Sequence, residues 1–592
     1  MTARKTIKIG GASGYWGESA MATPQLLKAG GLDYIVFDYL AEITMSIMAR
    51  ARAKDPSAGY AADFISAVMK PNLAEIARQG VRIIANAGGV NPEGCAAAVR
   101  ALVKEAGLAL KVGVIAGDDL MARKEEIAAA APKEMFTSAD LPALDKIASI
   151  NAYLGAFPIA KALDMGADIV ITGRCVDSAV TLGPCIHEFG WKADDWDLLA
   201  AGALAGHILE CGPQATGGNF TDWEDAGDIA AIGYPVGEIS DDGTLVVTKP
   251  DGTGGIVNVG TVAEQLVYEI GDPQAYLLPD VVCDFSQVEI TEAAPNRVRV
   301  SGAKGRPAPD AYKTSLTFED GWRAGMLLSF IGMDADKKAR LFADAAFERT
   351  RKTFRRFNAG DFTETSVETI GDPNREVTLK IAAKHADAMG VGLLLKETAG
   401  LGLATPPGLT IFSGGGRPKP SPVVRLFSCL MPKTDIDITI DVDGERCAFK
   451  DAPGKKYDPS KFEHPVPPAA PAPGDTIDVP LIKLAWARSG DKGDKANIGL
   501  IAREAEYLPY IWAALDETTI AKRFASFIEG GADASKVKRF YMPGPYAINF
   551  LIDAALGGGG VASLRNDPQG KAYAQMLLDY PISIPAELAK AL

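Results

Sequence analysis

Apolar and polar positions in the first 210 residues switch repeatedly between two periods. Residues 7–10 read as a short strand and 20–29 as a helix. Residues 34–38 form a β-branched and aromatic run, 81–86 a third strand, 111–116 a fourth and 168–172 a fifth. Helical stretches separate them, among them 145–165, and Asn91-Pro92-Glu93 marks a helix start with proline in its first turn. Such alternation implies an α/β fold with a mostly parallel sheet covered by helices on both faces. From 232 to about 430 the texture changes. Asp241-Asp242-Gly243 reads as a hairpin turn before a strand at 244–248, and short strands alternate with a helix over 335–354. This predicts an α+β second subdomain. The tail offers strands near 483–487, 497–502, 537–541 and 548–552 with helices between, the element count of a small ferredoxin-like α/β sandwich.

Five of the ten residues 464–473 are proline, which favours an extended, semi-rigid spacer of roughly 30 Å. The expected division is a parallel α/β part over 1–215, an α+β part over 216–463, a linker at 464–475 and a tail domain over 476–592. A chain of 592 residues is long enough for about three or four domains. Its 47% apolar and 23% charged residues exclude a disordered chain. The net charge of −14 falls wholly on the first 475 residues, because Lys+Arg and Asp+Glu balance over 476–592. That balance argues against a nucleic-acid or anionic-membrane binder, and a polyanionic ligand would meet least repulsion at the tail or its junction. Seven cysteines without a CxxC give neither a disulfide framework nor a zinc knuckle. The start runs into a strand instead of a signal-peptide core, and no run of 18 apolar residues exists. The expectation is a cytoplasmic protein without a membrane span.

Open α/β sheets bind ligands at the carboxyl ends of their strands, so candidate chemistry is sought there. After the first strand come Gly11, Ala12, Ser13, Gly14 and then Glu18; the glycines and Ser13 suit close approach of a ligand backbone or phosphate. Ala12 stands where a dinucleotide fingerprint needs glycine, although Asp38 ends the second strand as a ribose-binding acid would. Glu42 follows Asp38. Asn86, Gly88, Gly89 and Asn91 follow the third strand, and Arg174 and Asp177 the fifth. Any one of these suits a cap or turn, but polar or glycine-rich turns at all five strand ends point to a site. Arg174 suits a carboxylate or phosphate, and Glu18, Asp38, Glu42 and Asp177 are candidate acids or bases. His207, one of four histidines, is the imidazole candidate; the alternative is a helix C-terminal residue satisfying carbonyls. The histidines show no ligand spacing, so zinc is not expected, while an all-oxygen magnesium site stays open. Gly254 lies in one further glycine-rich loop, Gly415 and Arg417 in another that suits a phosphate. Lys492 and Lys495 lie in a tail loop with Asp491 and Asp494, where lysines would neutralise a ligand phosphate.

These stretches, with Asn151–Ala156, 172–183, 206–219 and 249–255, resemble the AtuA-like acyclic terpene utilisation proteins. The tail, with Ser489-Gly490-Asp491-Lys492-Gly493-Asp494-Lys495, Gly557-Gly558-Gly559-Gly560 and Ser563-Leu564-Arg565, resembles the family's ferredoxin-fold domain. The resemblance implies breakdown of citronellol- or geraniol-type skeletons as CoA thioesters and supplies no catalytic residue set. The expected activity is acid/base addition or elimination on a branched acyl-CoA, of the hydratase or lyase class. The CoA thioester is then a small-molecule substrate, and no cofactor is certain. Two alternatives remain, an NAD(P)-dependent oxidoreductase and a non-catalytic assembly or carrier component. A homo-oligomer is expected from the habit of large catabolic proteins.

Overall fold

The computed structural model describes residues 5–18, 20–411, 416, 418–471, 474–590 and 592. Among these, five short strands form the parallel centre of a large sheet, in the order Thr6–Gly11, Tyr34–Phe37, Arg82–Ala85, Ile169–Thr172, Val112–Ala116. Tyr34–Phe37 and Ile169–Thr172 are buried along their whole length, as strands covered on both faces must be. Antiparallel strands extend the sheet on both sides. Val236–Ser240 pairs with the first strand and continues through Leu245–Thr248, Arg297–Ser301 and Glu289–Ala294. Ile438–Val442 pairs with Val112–Ala116 and carries Glu445–Phe449 at the edge. The sheet is therefore mixed, and segments far apart in sequence complete it.

The expected helix over 145–165 divides. Residues Ile147–Ala152 form a strand, and only Phe157–Asp164 is α-helical, with a short 3-10 turn at Leu144–Lys146. The physical reason is a non-local partner: the 21-residue strand Ala311–Ile331 pairs antiparallel with Ile147–Ala152, opposing Ile150 to Leu316 and Asn151 to Ser315. That pairing buries the Ser149 and Thr317 hydroxyls at 2.6 Å from each other. The same long strand organises a second sheet with Glu364–Asp372, Glu376–His385, Leu409–Thr410 and Ser421–Pro432. The helices Ala335–Phe357 and Ala388–Gly400 pack on that sheet.

The tail forms a four-stranded antiparallel sheet in the order Ala485–Lys492, Lys495–Ala502, Ala547–Ile552, Val537–Met542, with helices Leu508–Ala514 and Glu517–Arg523. This ferredoxin-like domain has its own core around Ile498, Phe524, Phe550 and Tyr573. It docks directly on the body. Arg488 meets Glu264 at 2.8 Å with side chains 5% and 0% exposed. Trp486 Nε1 donates to Asp222 at 2.7 Å, and Arg503 pairs with the same carboxylate at 2.6 Å. Asn497 accepts from the Glu269 amide at 2.8 Å, and Asn549 donates to the Ile270 carbonyl at 3.1 Å.

A buried charge stripped of its partner costs about 3–5 kcal/mol. Arg488→Ala is therefore expected to lower the melting temperature and speed proteolysis in the linker. Replacing both partners, Arg488→Met with Glu264→Leu, should restore much of the loss. A single variant that melts and resists protease like the parent would show that this pair does not hold the tail.

Candidate functional site

The carboxyl ends of the central strands, the end of strand Ile147–Ala152 and the tail hairpin meet in one crevice. At its floor lies Arg174, 4% exposed. Its Nη1 donates to Asp177 Oδ1 and to the Cys175 carbonyl, each at 2.7 Å, and its guanidinium stacks 4.1 Å from the Tyr153 ring centroid. Desolvation works against this charge, but Asp177, Tyr153 and Glu42 around it more than compensate. The Arg174 amide donates to Asp118 at 2.8 Å, and Gly173 permits that approach, since a Cβ there would fall 2.3 Å from Asp118 Oδ1.

Glu42 opens the helix Glu42–Lys54. Its carboxylate accepts from Tyr153 Oη at 2.7 Å and lies 3.5 Å from Lys313 Nζ, on the long strand. Burial alone would raise it, but Lys313, Arg174 and the Tyr153 hydroxyl outweigh that and lower it to about 2. The side chains of Glu42, Lys313 and Asp177 keep 29%, 37% and 40% exposure, so they form a wetted wall above the buried arginine. Asp38 lies deeper, held by the Asn86 side-chain amide. Burial and the neighbouring Asp177 charge push it up, against the pull of Arg174.

His207 sits near the end of helix Trp196–Leu209 and is buried. Both ring nitrogens are engaged: Nε2 donates to the Leu266 carbonyl at 3.1 Å, and Nδ1 meets Glu210 at 3.0 Å. Its imidazole therefore reaches the crevice only through Glu210. Burial pushes Glu210 to about 7 against the opposing His207 charge, with Asp177 and Glu269 adding to the rise. Tyr276 lies beside His207, 5.8 Å between ring centroids, and Lys492 Nζ stands 5.3 Å above the Tyr276 ring. Lys492 makes no ion pair among the described residues. Lys495 instead pairs with Asp553 inside the tail at 2.6 Å.

Several other predicted positions serve the framework. Glu18 folds back to accept from the Gly14 amide at 2.7 Å and Tyr234 Oη at 2.8 Å, and burial raises its pKa. Ser13 Oγ donates to the Tyr15 carbonyl at 2.9 Å. Gly11 and Gly14 abut Leu209 and Cys211, with no room for a Cβ. Asn86 Oδ1 accepts from the Tyr39 amide at 2.7 Å. Gly88 donates to the Thr172 carbonyl at 3.0 Å, and Gly89 presses on Met48 and Gly59. Asn91 caps helix Pro92–Glu105 through the Gly94 amide at 3.1 Å. Gly254 packs against the Asp228 carbonyl. Gly415 and Arg417 lie outside the described residues.

Tyr153, Lys313, Glu210, Glu269 and Tyr276 escaped the sequence reading of the site, whereas Asp491 is already placed by it beside Lys492 in the tail loop. Glu210 had a usable signal, three residues after His207 and so on the same helical face. Lys313 had none, because only strand pairing brings it here. Buried polar atoms without partners concentrate around this floor: Asp118 Oδ1, Asn151 Oδ1, Arg174 Nε, Ser178 Oγ and Glu210 Oε2. Unsatisfied groups are rare in protein interiors, and this concentration sets the floor apart as a polar region of the interior. Among the described residues no three His, Cys, Asp or Glu side chains converge as a metal site.

Asp118 gives the floor a pH signature. Burial raises its pKa from 3.8 to about 7, against the hydrogen bonds from Arg174 and Asn151. A proton held more tightly in the folded state stabilises fully below pH 3.8, and that contribution is lost as pH rises through about 7. Asp118→Asn should gain on the parent by a few degrees of melting temperature between pH 5 and pH 8. A constant difference across that range would contradict the shift.

Comparison with known proteins adds an independent line. No curated protein matches the sequence. Among the described residues, no helix is long and apolar enough to cross a membrane. Residues 479–583 match the model of the AtuA ferredoxin-like domain, the part that supplies Lys492 and Asp491 to the crevice. Residues 7–442, which carry every other wall of the crevice, match the model of the acyclic terpene utilisation family protein AtuA. The chain belongs to that family, and its role lies in acyclic terpene utilisation.

Proposed function

We propose that the crevice binds a branched, acyclic terpenoid-type acyl-CoA thioester and catalyses addition to, or elimination from, its acyl chain. The observation that supports this best is the spread of ionisation among its carboxyls. Glu42 is lowered to about 2 and Glu210 raised to about 7 in one crevice. Acid/base sites are built in this way, with one carboxyl kept as a fixed anion and another poised to exchange a proton near neutrality. Arg174 supplies buried positive charge for an enolate-type oxyanion, and Asp177 and Glu42 orient the guanidinium and Lys313. His207 tunes Glu210 and is a positioning residue in this scheme.

Turnover is tested with branched enoyl-CoA and 3-hydroxyacyl-CoA substrates of several chain lengths, with products followed by mass spectrometry. Glu210→Gln is expected to lower kcat by about 10²–10⁴-fold. His207→Asn should shift the pH profile more than it lowers the maximal rate. Absence of turnover with every substrate, or full activity in Glu210→Gln and Asp177→Asn, would refute the reading.

Lys492 provides a separate test of binding. A lysine near a ligand phosphate acts as a point charge whose effect salt screens. Lys492→Ala is expected to weaken CoA-ester binding at low ionic strength and to approach the parent at high salt. Lys495→Ala, which breaks an intratail pair, should leave affinity unchanged. Equal affinities of parent and Lys492→Ala at low salt would remove Lys492 from the site.

A further inference from the structure

The tail hairpin brings one more carboxyl to the crevice. Asp491 lies near the end of strand Ala485–Lys492, its side chain 23% exposed and within electrostatic reach of Glu42. Its position is tightly fixed. A Cβ on the preceding Gly490 would fall 2.7 Å from Glu269 Cγ and 2.8 Å from Tyr268 Cε2, so the hairpin lies pressed onto the body. Lys571, also from the tail, bridges the domains. Its Nζ lies 2.6 Å from Glu269 Oε1 and 3.3 Å from Asp491 Oδ1, and it also donates to Tyr268 Oη. Lys492, the next residue, reaches the other way, over Tyr276.

We propose that Asp491 is a second proton-exchanging residue of this crevice, working with Glu210 of the body, so that the site is complete only when the tail is docked. The inference rests on the acid/base reading above. The charged and titratable groups around Asp491 are Lys571, which contacts it, Glu269 and Tyr268, which Lys571 also contacts, and Glu42, whose charge reaches it. Burial raises its carboxyl to about 7; Glu269 and Glu42 add to the rise and Lys571 opposes it. Glu269 also raises Glu210, so the two exchangeable carboxyls feel the same neighbouring charge.

Hydration of an enoyl thioester needs two such groups, or one that acts twice. Water gives a proton to one carboxylate as its oxygen bonds to C3, and C2 takes a proton from the other, protonated carboxyl. One molecule of water is added, the two carboxyls exchange protonation states, and solvent returns them to the start. Elimination runs the same steps backwards.

The test does not depend on the substrate. Full-length protein carrying ¹³C-carboxyl aspartate is titrated by NMR, and the resonance missing in Asp491→Asn is assigned to Asp491. Its midpoint is expected near 7. Glu42→Gln removes one like charge and should lower the midpoint by about half a pH unit. Lys571→Met should raise it. A midpoint below 5 in the parent, or one unmoved by Glu42→Gln, overturns the proposal. These titrations are decided even if no thioester is turned over, which would refute only the proposed function. Where turnover is found, Asp491→Asn should lower kcat by about 10²-fold or more with KM little changed, and Asp491→Glu should recover part of it. A parent-like melting temperature for Asp491→Asn confirms the fold, and parent-like kcat in that variant also overturns the assignment.

Discussion

The arrangement of the crevice depends on the buried ion pair between Arg488 and Glu264. Both charges lose their water on docking, and that penalty is repaid only in a geometry that satisfies nearly every donor and acceptor. The observed one does so. Arg488 binds Glu264 through two nitrogens and reaches Gln214 and the Gly218 carbonyl, while the Thr221 amide donates to Glu264 at 3.0 Å. A tail rotated or slid from this position would leave a buried charge unpaired. The pair thus selects orientation more than it adds stability, and Asn497 and Asn549 fix the same register a few residues further along. Because Arg488 grips residues 214 and 218, docking also tightens the loop that follows His207 and Glu210.

A second constraint is the arginine at the floor. A guanidinium this buried would be very costly alone, and its neighbours are arranged in graded distance from it. Tyr153 covers its face, Asp177 takes one edge, and Glu42 sits beyond the ring, bonded through the tyrosine hydroxyl. Lys313 then shields Glu42 from like-charged neighbours. Removing any one of these changes the field felt by the rest, so charge at the floor is a property of the set.

Much of this was legible in the sequence, and the failures share a cause. The five central strands are local in signal, being continuous apolar runs bounded by glycine and polar turns, and they fold where that signal places them. Arg174, Asp38 and Glu42 follow directly, since strand ends of a parallel sheet converge on one rim. The helix predicted over 145–165 failed because its pairing partner lies some 160 residues away, around Ser315 and Leu316. Lys313 was invisible for the same reason. Gly88, Gly89 and Asn91 looked like ligand contacts because close packing and helix capping use the same residue types as phosphate binding. Lys492 and Lys495 look equivalent in sequence and stand opposite each other across the hairpin, yet they reach different partners, Tyr276 and Asp553.

That graded ionisation also bears on how an acidic body receives an anionic ligand. The first 475 residues hold the entire net charge of −14, and the crevice is lined by six carboxyls: Asp38, Glu42, Asp177, Glu210, Glu269 and Asp491. Counted at full charge they would repel a thioester bearing phosphates. Burial changes the count. Asp38 is raised by burial, and Glu210 and Asp491, raised to about 7, each hold a proton for part of the neutral range, as does Asp118. Against the remaining anions stand Arg174, Lys313, Lys571 and Lys492, two of them brought by the tail, whose own net charge is zero. The effective field in the crevice is therefore far less negative than composition suggests. It also falls further as pH drops through the range in which these carboxyls exchange protons, which couples ligand entry to the same protonation that the proposed chemistry requires.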